Sequence, residues 1–356
     1  MSVTHAHTGF AENRTIWFTR CPVPTATGLA YRLGWLEEEF RRDGLAVATL
    51  QDAAPALLRH HYDHEIDSLI REGGALLALA ARAQGAPTRL IGLTWIDEWQ
   101  VILTRRGSGI DAPLKLKGKR LALPAFVERE IAAHARGSSI ARGMSLQGYK
   151  GALDAVGLTL DDVRFVEVGS GQSEERGGGN LWQGLQALRE NAVDAVYAKG
   201  ASAVEAARKF DAEVGIDLDA LPERRYRVNN GTPRPITVHA DFLERHFDLV
   251  TRFLAQTLRA SDWAAENPDA VREILKGETG AGDAAVATAY RHDFHRFLHP
   301  DLTAERRDLL EIQKRFMLVH GFLDRDFALE DWIDARPLEA ARALLEQNPE
   351  SFRAAA

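Results

Sequence analysis

Short apolar runs alternate with helix-period stretches along most of this chain, and that alternation restricts it to an α/β architecture with largely parallel sheet covered by helices. The runs Ile16 to Phe18, Leu45 to Leu50, Thr88 to Thr94, Gln100 to Thr104, Val163 to Val168, Val193 to Tyr197 and Ile236 to Val238 read as strands, and the basic loop Leu114 to Pro124 feeds another. Ala30, Leu33, Leu36 and Phe40 recur at helical spacing, so one helix is expected from the Pro22-Val23-Pro24 turn to about Phe40. Further helices are expected at 75–83, 126–156, 181–191, 241–266, 268–275, 283–298 and 304–320. The basic segment Leu114 to Arg120 opens a second α/β unit, and Arg227 to Pro233 looks like a crossover back. The expected organisation is lobe I, first part, over residues 1–104, lobe II over 105–231, and lobe I, second part, with C-terminal helices, over 232–356. Loops beyond the carboxyl ends of strands should converge on the cleft between the lobes.

A length of 356 residues suits two lobes, and 45% hydrophobic residues supply real cores. The formal charge of -7 argues against nucleic acid as the main partner, because phosphate binding needs a concentrated basic face. One cysteine forbids an internal disulfide and a cysteine-based zinc framework. The first twenty residues are polar, with no apolar stretch of signal-peptide length, and no later apolar run approaches a membrane span. The expectation is therefore a cytoplasmic protein with no membrane partner; a monomer with no metal is expected as well.

The single cysteine, Cys21, stands between a strand and a proline-marked turn into a helix. There it would face the helix's unpaired amides, which favour an anion and so a thiolate. An inert buried thiol is the alternative. Downstream come His60, His61 and His64, then Arg71, then Gly73-Gly74, where paired glycines permit close approach of backbone to a ligand. Arginine's forked donors match two oxygens of a small oxyanion, although a lone arginine is more often a surface residue. The segment His60-His61-Tyr62-Asp63-His64-Glu65 lacks the spacing of zinc proteases, and solvated histidines explain it and the trio His292, His295 and His299. Gly177 to Asn180 lacks the lysine of a phosphate loop, Lys115 to Arg120 reads as a solvated rim, and Trp17, Trp95, Trp99 and Phe126 read as core before pocket wall.

The set Cys21-Pro22-Val23-Pro24, a histidine some forty residues on, and Arg71-x-Gly73-Gly74 ten residues after that histidine resembles the 2'-hydroxybiphenyl-2-sulfinate desulfinases. Arg89, Gln100, the Leu-Lys-Gly-Lys-Arg entry to a strand, Val193 to Tyr197, His292 to Phe294 and Leu309 to Trp332 extend the likeness over most of the chain. The resemblance implies a bilobed type II periplasmic-binding-protein-like fold, shared with sulfonate and taurine carriers. It also implies cofactor-independent release of sulfite from an aromatic sulfinate. Carried over by motif, Cys21, His61 and Arg71 are the catalytic set, with the Gly74 amide on the sulfinate and Gly73 and His60 beside it. His60 would replace His61 if the register slipped by one, and the charged stretch Asp63 to Asp67 departs from the family. A carrier of sulfonates or similar small anions is the alternative function.

Overall fold

The computed structural model describes residues 10, 14–125, 140–169 and 179–348. Its strands gather into two five-stranded sheets. In the first, β2 (Ala46–Thr49), β1 (Thr15–Phe18) and β3 (Leu69–Glu72) run parallel, and β10 (Arg234–His239) inserts antiparallel between β3 and β4 (Thr88–Thr94). In the second, β7 (Arg164–Val168), β6 (Arg120–Pro124) and β8 (Ala195–Lys199) run parallel, while β5 (Gln100–Arg105) lies antiparallel between β8 and β9 (Ala212–Asp217). Each sheet is thus mixed, with one strand opposing the other four. The opposing strands are the two that enter directly from the other lobe. Strand β5 follows a five-residue crossing from β4, and β10 follows the long crossing 218–233, so neither has the helical crossover that a parallel neighbour requires.

The sheets part the chain earlier than residue 104. Gln100 to Arg105 pair with β8 and β9, so the first crossing is Trp95–Trp99. Strand β9 carries no clear sequence signal because it is a half-exposed edge strand broken by Gly215, where a side chain would run into the carbonyl of Ile110. The helix expected to run to Phe40 is two, Ala26–Arg32 and Trp35–Arg41, broken at Gly34, which takes a left-handed φ of 78°. The stretch 283–298 likewise holds only Asp283–Ala289 and a 3-10 turn at Phe294–Arg296, which carries His295. Phe126 and the loop Gly177-Gly178 lie outside the described residues.

Behind the first sheet, the amphipathic helix Phe247–Glu266 buries Phe253, Leu254 and Leu258 in a core shared with Phe18, Leu29 and Ile236. The fully buried Trp332 fixes the C-terminal segment by donating its indole N–H to Thr88 Oγ1 at 3.0 Å. Trp95 and Trp99 are core residues at 2% and 4% exposure. In the basic segment Lys115 pairs with Asp111 at 2.6 Å, Lys117 with Asp162 at 3.6 Å and Arg120 with Asp194 at 2.8 Å. Among the described residues, no helix is long and apolar enough to cross a membrane.

Candidate anion site

Strands β2, β1 and β3 are parallel neighbours, so the loops leaving their carboxyl ends meet in space, and these loops carry His61, Cys21 and Gly73-Gly74. Thr19 Oγ1 donates to the carbonyl of Glu72 at 2.8 Å, and the Cys21 thiol donates to the same oxygen at 3.7 Å. One carbonyl at the end of β3 therefore ties down the turn after β1. Cys21 is half-buried. It does not sit at a helix N-terminus as expected, since the helix starts only at Ala26 and Thr25 caps it by accepting from the Gly28 amide at 3.1 Å.

Arg71 is only 1% exposed, yet its Nε and Nη1 have no hydrogen-bond partner and only Nη2 donates, to the carbonyl of Gly74 at 3.3 Å. Among the described residues no carboxylate stands within ion-pair distance of it. Burial lowers its pKa to about 10, a charge at Cys21 works the other way, and the charge of Arg234 adds to the lowering; the guanidinium stays protonated at neutral pH. Unpaired charge at such depth is expensive and is kept where a ligand supplies the partner.

The two glycines serve this arginine differently from the expectation. A Cβ on Gly73 would lie 2.6 Å from the Arg71 guanidinium carbon, and one on Gly74 would lie 2.4 Å from the Asn230 carboxamide. Gly73 makes room for the guanidinium, and its own amide is taken by the carbonyl of Pro235 at 3.2 Å. The Gly74 amide is bonded to no acceptor among the described residues, so of the pair it alone can meet an anion. Asn230 caps the following helix, Ala75–Ala83, from a distance in sequence: its carbonyl accepts from Ala75 N at 2.6 Å and its Oδ1 from Leu76 N at 2.9 Å.

The one-turn helix His60–Asp63 separates the adjacent histidines. His60 is buried and turned to Asp63, with Nδ1 to Oδ1 2.7 Å. Glu65 Oε2 stands 3.9 Å from the same nitrogen, and one polar atom from each of the three residues lies within 4.8 Å of the other two. His61 points the other way. Its Nδ1 is buried without a partner, and burial, then the nearby Arg71 charge, lowers its pKa to about 3. At neutral pH it is therefore an uncharged imidazole that can take part in a hydrogen bond but takes up a proton only near pH 3. Below pH 6.5 the unfolded chain takes up a proton that folded His61 refuses until about pH 3. Stability associated with His61 is full above that range and falls on acidification, by at most about 1.4 kcal/mol per pH unit. His61→Gln should accordingly gain thermal stability relative to wild type between pH 7 and 5; a pH-independent difference in melting temperature would refute this placement.

Sequence reasoning missed Arg234, the first residue of β10, which is 5% exposed, has no hydrogen-bond acceptor among the described residues, and lies close enough to Arg71 to depress its pKa. Its only local signal is an arginine between Pro233 and Pro235, which says nothing of its neighbours.

The NMT1/THI5-like family model matches residues 29–271, more than half of the chain. The chain belongs to the NMT1/THI5-like family. Its fold is similar to a cysteine-to-serine mutant of the desulfurization enzyme DszB crystallised with biphenyl-2-sulfinic acid, at 22% identity and a TM-score of 0.73, over 93% of this chain and 99% of that one. It is also similar to the periplasmic sulfonate-binding protein SsuA from Methylobacillus flagellatus KT, at 14% identity and a TM-score of 0.69, over 93% and 94%. The periplasmic nitrate-binding protein NrtA from Synechocystis PCC 6803 follows at 12% identity and a TM-score of 0.56, over 96% and 91%. No curated protein matches the chain. At these identities the likeness establishes the two-lobed, periplasmic-binding-protein-like fold of this family member. It also corrects the cytoplasmic expectation: the neighbours are mostly periplasmic binding components of import systems, which points to a location outside the cytoplasm.

Proposed function

We propose that the chain binds a small sulfur oxyanion between Arg71 and the Gly74 amide and, with Cys21 and His61, cleaves the carbon–sulfur bond of an aromatic sulfinate as a desulfinase-like hydrolase. The observation that carries this reading is the buried guanidinium of Arg71, with two unpartnered nitrogens, in the electrostatic range of the only cysteine. Arg71 fixes the sulfinate oxygens by charge-assisted hydrogen bonds and stabilises charge that grows on them in the transition state. The overall change, ArSO2⁻ + H2O giving ArH + HSO3⁻, balances without an external oxidant or reductant. The carbon–sulfur electron pair stays on carbon, which takes a proton, and sulfur takes the hydroxide.

Cys21 has two routes open. In the first, its thiol, presented as a donor to the Glu72 carbonyl, protonates the ring carbon, and water then meets the released sulfur group. In the second, its thiolate attacks sulfur and the covalent sulfur–sulfur bond is hydrolysed. Neutral His61, too weak a base to hold a proton near pH 7, serves either route by accepting a hydrogen bond from the thiol or from water, and in the second route the thiol proton goes to the ring carbon as the carbon–sulfur bond breaks.

The second reading is a non-catalytic carrier of sulfonates or related anions, favoured by the SsuA-like neighbours and the location they point to. It uses Arg71 and the Gly74 amide in the same way and leaves Cys21 idle. Incubation with a panel of aryl sulfinates, with sulfite measured alongside binding, separates the two. Sulfite released with one equivalent of desulfinated arene supports the hydrolase; tight binding of an unchanged sulfinate supports the carrier and overturns the hydrolase.

A further inference from the structure

Arg71 is not the only unneutralised cation in this site. A Cβ placed on Gly231 would meet Arg234 Nη2 at 2.8 Å and Lys199 Nζ at 3.0 Å, so two cationic groups converge on one point. They come from different lobes: Lys199 ends β8 and Arg234 begins β10, and Gly231 belongs to the crossing between them. Arg234 and Lys199 are both deeply buried, and like charges brought together away from water repel strongly unless an anion lies between or beside them.

The protein supplies only part of that neutralisation. Glu98 pairs with Lys199 at 3.3 Å and also accepts from the Tyr290 hydroxyl at 3.1 Å. No carboxylate reaches ion-pair distance of Arg234 among the described residues, and its Nε is buried without a partner. Glu72, in range of Arg234, and Asp219, in range of Lys199, both have their pKa raised by burial, which works against their serving as full counter-charges. This corner is distinct from the one at Arg71. The Arg71 guanidinium lies over Gly73, whereas Arg234 and Lys199 lie over Gly231, and Asn230, packed on Gly74, connects the two.

We propose that Arg234 and Lys199 form a second anion subsite, so that the preferred ligand carries two acidic groups, a sulfur oxyanion at Arg71 and a carboxylate-class oxyanion at Arg234. The proposal rests on the reading of Arg71 as the head-group site and adds the second contact to it. A ligand held at both corners touches residues of both lobes and so favours the closed cleft. A ligand with one acidic group leaves Arg234 uncompensated.

The test uses the full chain and calorimetric titration with benzenesulfonate, which has one acidic group, and with the ortho, meta and para sulfobenzoates, which have two. Wild type should bind at least one sulfobenzoate about tenfold or more tightly than benzenesulfonate, the yield of one added charge-assisted contact. Arg234→Gln should bring that ratio to about one, and Arg234→Lys should keep part of it, which a loss of folding would not do. The proposal is overturned if no sulfobenzoate exceeds benzenesulfonate in wild type. It is equally overturned if Arg234→Gln weakens both ligand types by the same factor, since Arg234 would then share a single head group. Failure of the Arg71 reading looks different: Arg71→Met would leave the affinity for benzenesulfonate unchanged. If none of the four ligands binds, both readings fall.

Discussion

Arg71→Met should weaken binding of an aryl sulfinate or sulfonate by about a hundredfold or more while raising the melting temperature of the unliganded protein. The two effects share one cause. Charge-assisted hydrogen bonds contribute about 1.5–3 kcal/mol each, and Arg71 offers an oxyanion two free nitrogens, Nε and Nη1. In the empty protein the same guanidinium is a buried cation with one long hydrogen bond and no ion pair among the described residues, and an uncompensated buried charge destabilises a fold by about 3–5 kcal/mol, which an apolar group of similar length relieves. A site that gives up stability for function shows this opposition of sign. Differential scanning fluorimetry with and without ligand reads both effects. A structural arginine would behave in the reverse way, with a lower melting temperature and little change in affinity, and that result would remove the central support for an anion site.

Much of this site is written locally in the chain, and what is not was hidden for a physical reason. Arg71, Gly73 and Gly74 act within four residues of one another, so their spacing alone brings the guanidinium over one glycine and within hydrogen-bonding distance of the carbonyl of the other. The α/β architecture was legible for a similar reason, because strand and helix periods are local. The direction of β5 and β10 was not, since it depends on how the chain crosses between sheets, and no residue pattern within a strand records its direction. Arg234 was invisible for the same cause: it meets Arg71 only because β10 returns to lie beside β3. The adjacent histidines could not be told apart in sequence because one turn of helix sends His60 to Asp63 and His61 toward Arg71. The placement of Cys21 at a helix N-terminus failed because two prolines delay the helix to Ala26 and Thr25 takes the capping position.

Cys21 decides between the two readings of the function. If Cys21 performs the chemistry, Cys21→Ser should keep the affinity for a sulfinate within about threefold and reduce sulfite release by about a thousandfold or more, the pattern of a residue that matters to the transition state and little to the ground state. The substitution is conservative where it stands. A serine hydroxyl retains the hydrogen bond to the Glu72 carbonyl that the thiol makes at 3.7 Å, and Thr19, which holds the turn through the same oxygen at 2.8 Å, is untouched. Loss of folding is therefore not expected, and the melting temperature should stay within a few degrees of wild type. A hydroxyl is a far poorer nucleophile and a weaker acid than a thiol, so either route through Cys21 slows steeply. In a carrier the same variant would bind as wild type does and neither protein would release sulfite. The half-buried thiol would then be a packing residue at the end of β1, and the anion site built on Arg71 would stand without it.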